Sequence, residues 1–265
     1  MSLFETIESA GWRRLITPAS ALWLAVAVLA MRLGPLSERA LQWDAWVFPS
    51  ALAATVLAAS VVVEVLGRAI RLCWLGYGIP GLVAAPLRAW RRKRWERAER
   101  LAATATGDAR QRYIAQRNSV ALAYPVSPTW MGDRRWALEI RVRNEYGLDV
   151  ASVWPRLWTL LPNTIRSAVT AAQSAYCDAS RWMAWALVYA VSAAVWWPAL
   201  VVAVPAAVLG VMRGRIAMAA LTELAEAAVD LYGIDLAREL GVVGDKGVLS
   251  EADGREINKR TRKSA

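Results

Sequence analysis

The chain has 265 residues, of which 57% are hydrophobic, and its formal net charge is +10. It contains no histidine and only two cysteines. The missing imidazole excludes serine–histidine triads, cysteine–histidine proteases and histidine-ligated zinc sites, and two isolated cysteines exclude a disulfide framework. A soluble domain is nearer 45–50% apolar, and here the excess lies in a few long blocks, which is typical of a membrane protein.

The first apolar blocks predict a membrane hairpin preceded by an interfacial helix over residues 2–14. The first span is expected from about Leu15 to Met31 and the second from about Ala45 to Leu66. The alternative for the first block is a signal peptide with a cleavage site at residues 28–30. A second span following closely favours a retained hairpin.

Residues 182–212 carry no charge and predict a second hairpin. One upright helix of this length would be too long for a single span, and a Trp-Trp-Pro sequence lies in the middle. Proline suits the first turn of a new helix. The third span is therefore expected from Asp178 to Trp197 and the fourth from Pro198 to Met212.

Positive charge sets the predicted orientation. Residues 67–181 carry 19 Arg and Lys against 8 Asp and Glu. By the positive-inside rule, this segment and both termini face the cytoplasm of a bacterial inner membrane. The expected fold class is an all-α membrane protein with four transmembrane helices in two hairpins. Its predicted parts are residues 1–66, a basic cytoplasmic helical domain over 67–177, the hairpin 178–212, a cytoplasmic helix 213–240 and a disordered tail 241–265.

Within the basic domain, residues 84–105 predict one helix, whereas residues 133–147 are ambiguous. Alternating apolar residues from Trp136 to Val142 fit a strand. Charge pairs four residues apart fit a helix, with Asp133 as a possible N-cap and Gly147 as its terminator. The charge spacing and the terminal residues favour the helix.

A cluster of basic and tryptophan side chains predicts a surface that binds anionic lipid headgroups. Arginines would contact phosphates while tryptophans lie at the acyl boundary, and Glu96 and Glu99 should point away from the membrane. Topology determination needs the same charge, and nucleic-acid binding is the less favoured alternative. The predicted lipid-binding residues are Arg88, Trp90, Arg91, Arg92, Lys93, Arg94, Trp95, Arg97 and Arg100.

Acidic residues give two weak candidates for chemistry. Glu64 lies near the end of the second span and predicts an ion pair with Arg68, four residues on. Glu223, Glu226 and Asp230 share one side of a helix and could bind a cation, but a side that faces water or the basic central segment is favoured. The sequence predicts no catalytic residue, no metal site and no cofactor.

A segment with Pro128-Thr129, then Tyr146-Gly147-Leu148-Asp149 and Trp154-Pro155-Arg156-Leu157 resembles a group of uncharacterised bacterial multi-pass membrane proteins. The similarity covers about residues 124–240, with Asp133 where that pattern usually has asparagine. The resemblance implies the topology and carries no activity. The motif is interpreted as a structural corner formed by Gly132, Glu139, Tyr146, Gly147, Asp149, Trp154, Pro155 and Arg156.

The function expected from these features is a non-enzymatic inner-membrane protein with a membrane-docked cytoplasmic interaction domain. Its partners would be anionic lipid headgroups and an unidentified protein, which could be a second copy of the chain. One alternative is a small oligomeric pore or membrane-perturbing effector. Another is a membrane enzyme, which would require Glu139, Glu145 and Asp149 to converge on a cleft.

Overall fold

The computed structural model describes residues 47–194, 197–242 and 249–262. Within these ranges the protein is all-helical and no strand is found. The described helices are α1 (Val47–Trp74), α2 (Gly81–Thr104), α3 (Gly107–Val120), α4 (Trp130–Tyr146), α5 (Val150–Leu160), α6 (Asn163–Ser192), α7 (Ala199–Glu239) and α8 (Glu251–Arg262).

The prediction of four membrane spans is wrong. Among the described residues, only α7 is long and apolar enough to cross a membrane by length and composition. The interfacial helix, the signal-peptide alternative and the first predicted span lie outside the described residues. The second predicted span falls in α1, which continues past Leu66 to Trp74 and carries Glu64, Arg68 and Arg71.

Helix α6 explains why the third predicted span fails. It begins at Asn163 as one continuous helix and carries Asp178 and Arg181 within it. The helix ends at Ser192, so its uncharged part after Arg181 is much shorter than the roughly 20 residues that a span requires. The predicted break near Trp197 is confirmed, because α7 begins at Ala199. The predicted fourth span and C-terminal helix are one helix, α7, with Pro205 inside it.

The chain divides into two compact units. One unit contains α1 from Leu72, all of α2 to α5, α6 to Ser174, and the chain from Arg215 onwards. Its core is formed by α4, α5 and α8, where Leu157 and Ile257 are fully buried. This unit contains the whole predicted lipid-binding cluster and the whole predicted corner.

The second unit contains α1 up to Arg71, α6 from Ala175 and the start of α7. Small residues allow its helices to approach closely: a side chain at Gly210 would press on the backbone of Met183. Glu64 of α1 pairs with Arg181 of α6 at 3.0 Å, a contact between helices that the sequence did not predict. Its exposed apolar side chains include Val61, Val62, Val65, Leu187, Val191, Leu200, Val201, Val204, Val208, Leu209, Val211 and Met212.

The ambiguous segment 133–147 is helical. Helix α4 begins one turn earlier than expected, because the Thr129 hydroxyl caps it by accepting from the Gly132 N–H at 3.1 Å. Asp133 is therefore not the cap. The predicted termination at Gly147 is confirmed: its φ is +66°, a left-handed conformation that glycine adopts without a Cβ penalty.

The C-terminal segment differs from the predicted disordered tail. Residues 251–262 form α8, which has one strongly apolar position among charged ones. That residue, Ile257, is fully buried, and Gly254 lies so close to the carbonyl of Tyr146 that no side chain fits. The prediction of disorder was wrong because it relied on the polar composition of the segment. The helix is held by a few specific contacts, such as that of Ile257, with the rest of its unit.

Candidate functional site

The polybasic helix α2 buries a line of small residues and one arginine. Ala84, Arg91, Ala98 and Ala102 are its buried residues. Their spacing of seven, seven and four places them on one side of a helix. The opposite side is therefore the one that faces outwards.

Arg91 forms a buried ion pair with Asp133 of α4. Its Nε and Nη2 donate to Oδ2 of Asp133 at 3.0 and 2.7 Å, and Nη2 also donates to the carbonyl of Val120 at 2.6 Å. The other carboxylate oxygen accepts the N–H groups of Val126 and Ser127 at 2.9 and 2.7 Å. Every charge taken from water here has hydrogen-bond partners, so the pair fixes α2, the end of α3 and α4 together.

Two further members of the predicted cluster also have intramolecular partners. Arg92 donates from Nε to the carbonyl of Pro125 at 3.0 Å, and its guanidinium lies 5.3 Å from the ring centre of Tyr124. Trp95 donates from Nε1 to the carbonyl of Ala121 at 3.1 Å. The sequence analysis did not separate these residues, which have intramolecular partners, from the cluster residues that face outwards. The alanines at 84 and 98, each seven residues from Arg91, could have indicated that this side of the helix is buried.

The outward side of α2 is apolar in its first turns and basic in its last turns. Leu82 is 92% exposed, and Val83, Leu87 and Trp90 are also exposed. At 100° per residue the same side carries the predicted residues Lys93, Arg94, Arg97 and Arg100. Arg88 lies partly exposed on another flank of the helix.

The cations on this side are not neutralised within the described part of the chain. Among the described residues, the side chains of Lys93, Arg97 and Arg100 make no hydrogen bond or ion pair, and the Arg94 guanidinium lies 4.8 Å from the ring centre of Trp90. The acids of α2 point elsewhere. Glu96 accepts from the hydroxyl of Tyr124, and Glu99 pairs with Arg117 at 2.7 Å. That both glutamates point away from a membrane stays a prediction.

A cleft lies between α2 and α3 beside the basic turns. It has a volume of about 420 Å³ and is lined by Arg94, Arg97, Ala98, Leu101, Tyr113 and Gln116. None of these lining residues is acidic. Two arginines, a tyrosine and a glutamine therefore line this space together with one alanine and one leucine.

The predicted corner residues have structural contacts in the same unit. At one end, Gly132 has no room for a side chain, which would overlap the carbonyl of Leu75. Glu139 pairs with Arg135 at 3.0 Å within α4. Tyr146 donates its hydroxyl to Asp230 at 3.0 Å, and burial together with this bond raises the pKa of Tyr146.

The other end of the corner is covered by α8. The amide of Asn258 donates to the carbonyl of Gly147 at 2.7 Å, and its oxygen accepts the N–H of Asp149 at 2.9 Å. Asp149 caps α5 and pairs with Arg262 at 2.7 Å, and Arg156 donates to the carbonyl of Thr261 at 3.1 Å. Trp154 is buried and lies 6.0 Å from Trp158, while Pro155 is inside α5.

The candidate acidic sites are occupied by cationic or phenolic partners. Glu223 pairs with Arg134 at 2.5 Å and Glu226 with Arg141 at 2.9 Å, while Asp230 accepts from Tyr146. Of the two placements that the sequence favoured, water or the basic segment, the structure has contacts with the basic segment. The described residues include no group of acidic and cysteine side chains that could hold a metal ion.

The carboxylates required by the enzyme alternative do not converge. Glu139 is paired along α4, Glu145 is exposed and Asp149 belongs to the corner. Among the described residues, these three carboxylates therefore provide no acid–base pair at a cleft.

No protein-family model, curated protein or solved structure matches this chain.

Proposed function

We propose that this chain is a non-enzymatic protein of the bacterial plasma membrane whose α2 helix docks on the anionic cytoplasmic leaflet. The observation that carries the proposal is the outward side of α2. Its exposed apolar turns suit the acyl boundary, and its basic turns suit headgroup phosphates. The unit that contains α2 would then present its remaining surface to a protein partner, for example a second copy of the chain.

The energies are adequate for docking. Each Lys or Arg near an anionic surface contributes about 1 kcal/mol within a Debye length of about 8 Å, so four cations provide roughly 4 kcal/mol. Arg91 and Arg92 should add little, because their guanidinium groups have intramolecular partners. The apolar half of α7 supports association with a bilayer, since its exposed residues would lie in hydrocarbon.

The test uses the full chain in proteoliposomes with Cys73 and Cys177 replaced by serine. A spin label at Leu82→Cys reports its depth by power saturation with oxygen and a water-soluble nickel chelate. We expect the label to be inserted with about 30% anionic lipid and solvated in zwitterionic lipid, with insertion lost at high salt. The variant Lys93→Gln/Arg97→Gln should reduce insertion, whereas the matched control Arg143→Gln/Lys259→Gln should not.

Arg143 and Lys259 provide a matched control, because they are exposed and the control removes the same charge from other helices of the unit. Equal insertion in zwitterionic and anionic bilayers would contradict the electrostatic proposal. Equal effects of the two double variants would show that net charge matters and that the side of α2 does not.

A further inference from the structure

We propose that the cleft between α2 and α3 binds one phosphate monoester headgroup of an anionic lipid. The inference rests on the proposed docking of α2 and deepens it, because Arg94 and Arg97 belong both to the docking side and to the cleft wall. Diffuse attraction would accept any anionic lipid. A cleft with converging donors would select one headgroup and hold it in one place.

The donors match the charge and geometry of a phosphate monoester. Such a group carries a charge of about −1.5 to −2 at pH 7, which two arginines balance. Guanidinium groups bind phosphate through paired N–H donors. Arg94 is steadied by its contact with the ring of Trp90, and the side chain of Arg97 makes no ion pair with another described residue. Tyr113 and Gln116 add donors from the opposite wall.

The apolar part of the cleft favours a lipid over a free phosphate compound. Ala98 and Leu101 line the cleft, and the half-exposed ring of Trp90 lies against Arg94. These groups would contact the glycerol backbone and the first carbons of the chains. The volume of about 420 Å³ is in the range of small-molecule sites, roughly 300–1,000 Å³.

The experiment uses the full chain in a neutral detergent and isothermal titration calorimetry. The probes are dihexanoyl phosphatidate, dihexanoyl phosphatidylglycerol, dihexanoyl phosphatidylcholine and inorganic phosphate. We expect saturable binding of one phosphatidate per chain, weaker binding of phosphatidylglycerol and phosphate, and none of phosphatidylcholine. The variant Tyr113→Phe/Gln116→Leu should weaken phosphatidate binding by about tenfold or more, because it removes both donors that line the α3 wall from a charged ligand.

Two controls make the outcome decisive. Thermal unfolding of the variant should match that of the parent chain, because Tyr113 of α3 is only half-buried and Gln116 is exposed. Arg143→Gln should bind phosphatidate like the parent. Unchanged affinity in Tyr113→Phe/Gln116→Leu, or many phosphatidates per chain, would overturn the proposal. Equal affinity for inorganic phosphate would assign the cleft to a soluble phosphate compound and overturn the lipid assignment.

The two proposals fail separately. Insertion of the Leu82 label without saturable phosphatidate binding would leave docking intact and remove the cleft. Saturable binding without insertion of that label would remove docking on the bilayer and leave the cleft as a phosphate site.

Discussion

The guanidinium of Arg91 and the carboxylate of Asp133 lie 2.7 Å apart in the interior of a unit otherwise rich in surface charge. The contact joins two helices whose residues are 42 positions apart in the sequence. Arg91 is therefore buried, whereas Lys93, Arg94, Arg97 and Arg100 of the same helix face outwards.

The first prediction concerns this pair. Asp133→Ala leaves the Arg91 charge and the Val126 and Ser127 N–H groups buried without their acceptor, so it should lower the free energy of unfolding by about 3–5 kcal/mol. The double variant Arg91→Met/Asp133→Leu should cost less than the sum of Arg91→Met and Asp133→Leu made singly. Denaturant unfolding of the parent, these two single variants and the double variant measures the coupling. Additive effects would show that the pair is not coupled.

The outward cations should behave differently from Arg91. The second prediction is that Arg97→Gln leaves the free energy of unfolding within about 0.5 kcal/mol of the parent, because substitutions of exposed residues without partners have small effects. Arg91→Gln, the same chemical change six residues earlier, should destabilise strongly. The comparison requires only thermal or denaturant unfolding in detergent. Equal destabilisation by both variants would contradict the division of the cluster.

That division shows what a single sequence could and could not provide. The helix ending at Gly147 was predictable, because the charge spacing and the glycine are local signals. Which arginine of the run turns inwards depends on Asp133, a long-range partner, and a run of four basic residues covers every side of a helix. The four-span prediction was wrong partly because a break in the uncharged stretch was taken as evidence for two spans. The position of the break did not show how far each helix extends beyond that stretch.

Gly147 carries the third prediction. Its φ of +66° and the adjacent carbonyl of Glu251 leave no room for a side chain, so Gly147→Val should cost about 1 kcal/mol or more. Gly81→Ala is the control, because Gly81 begins α2 with open space around it and has no left-handed backbone. Folded yield and unfolding midpoint in detergent measure both. A neutral Gly147→Val would contradict the structural interpretation of the corner.

The fourth prediction tests the seating of α8. Gly254→Ala should displace the helix, because the added Cβ would overlap the carbonyl of Tyr146. Hydrogen exchange at residues 251–262 should then become fast while that of α2 and α3 stays slow. Gly233→Ala, where the nearest atom is a leucine side-chain carbon at 3.4 Å, is the matched control. Unchanged protection in Gly254→Ala would show that α8 is held in another way.

The two thiols provide the fifth prediction. Cys73 is exposed, whereas burial raises the pKa of Cys177. The thiolate is the reactive form, so maleimide at pH 7 should modify Cys73 roughly tenfold faster or more. Mass spectrometry of the labelled peptides measures both rates in detergent. In denaturant the rates should converge, and equal rates in the folded protein would contradict the burial of Cys177.

Because α8 covers the corner, the corner can acquire its last contacts only after the C-terminal helix has been synthesised. Asn258 and Gly147 are 111 residues apart, so at 5–20 residues per second the ribosome adds the partner of the Gly147 carbonyl roughly 10 seconds after the glycine. Until then the backbone groups at Gly147 and Asp149 lack their Asn258 contacts. A chain released before Asn258 is added therefore lacks both of these contacts at the corner.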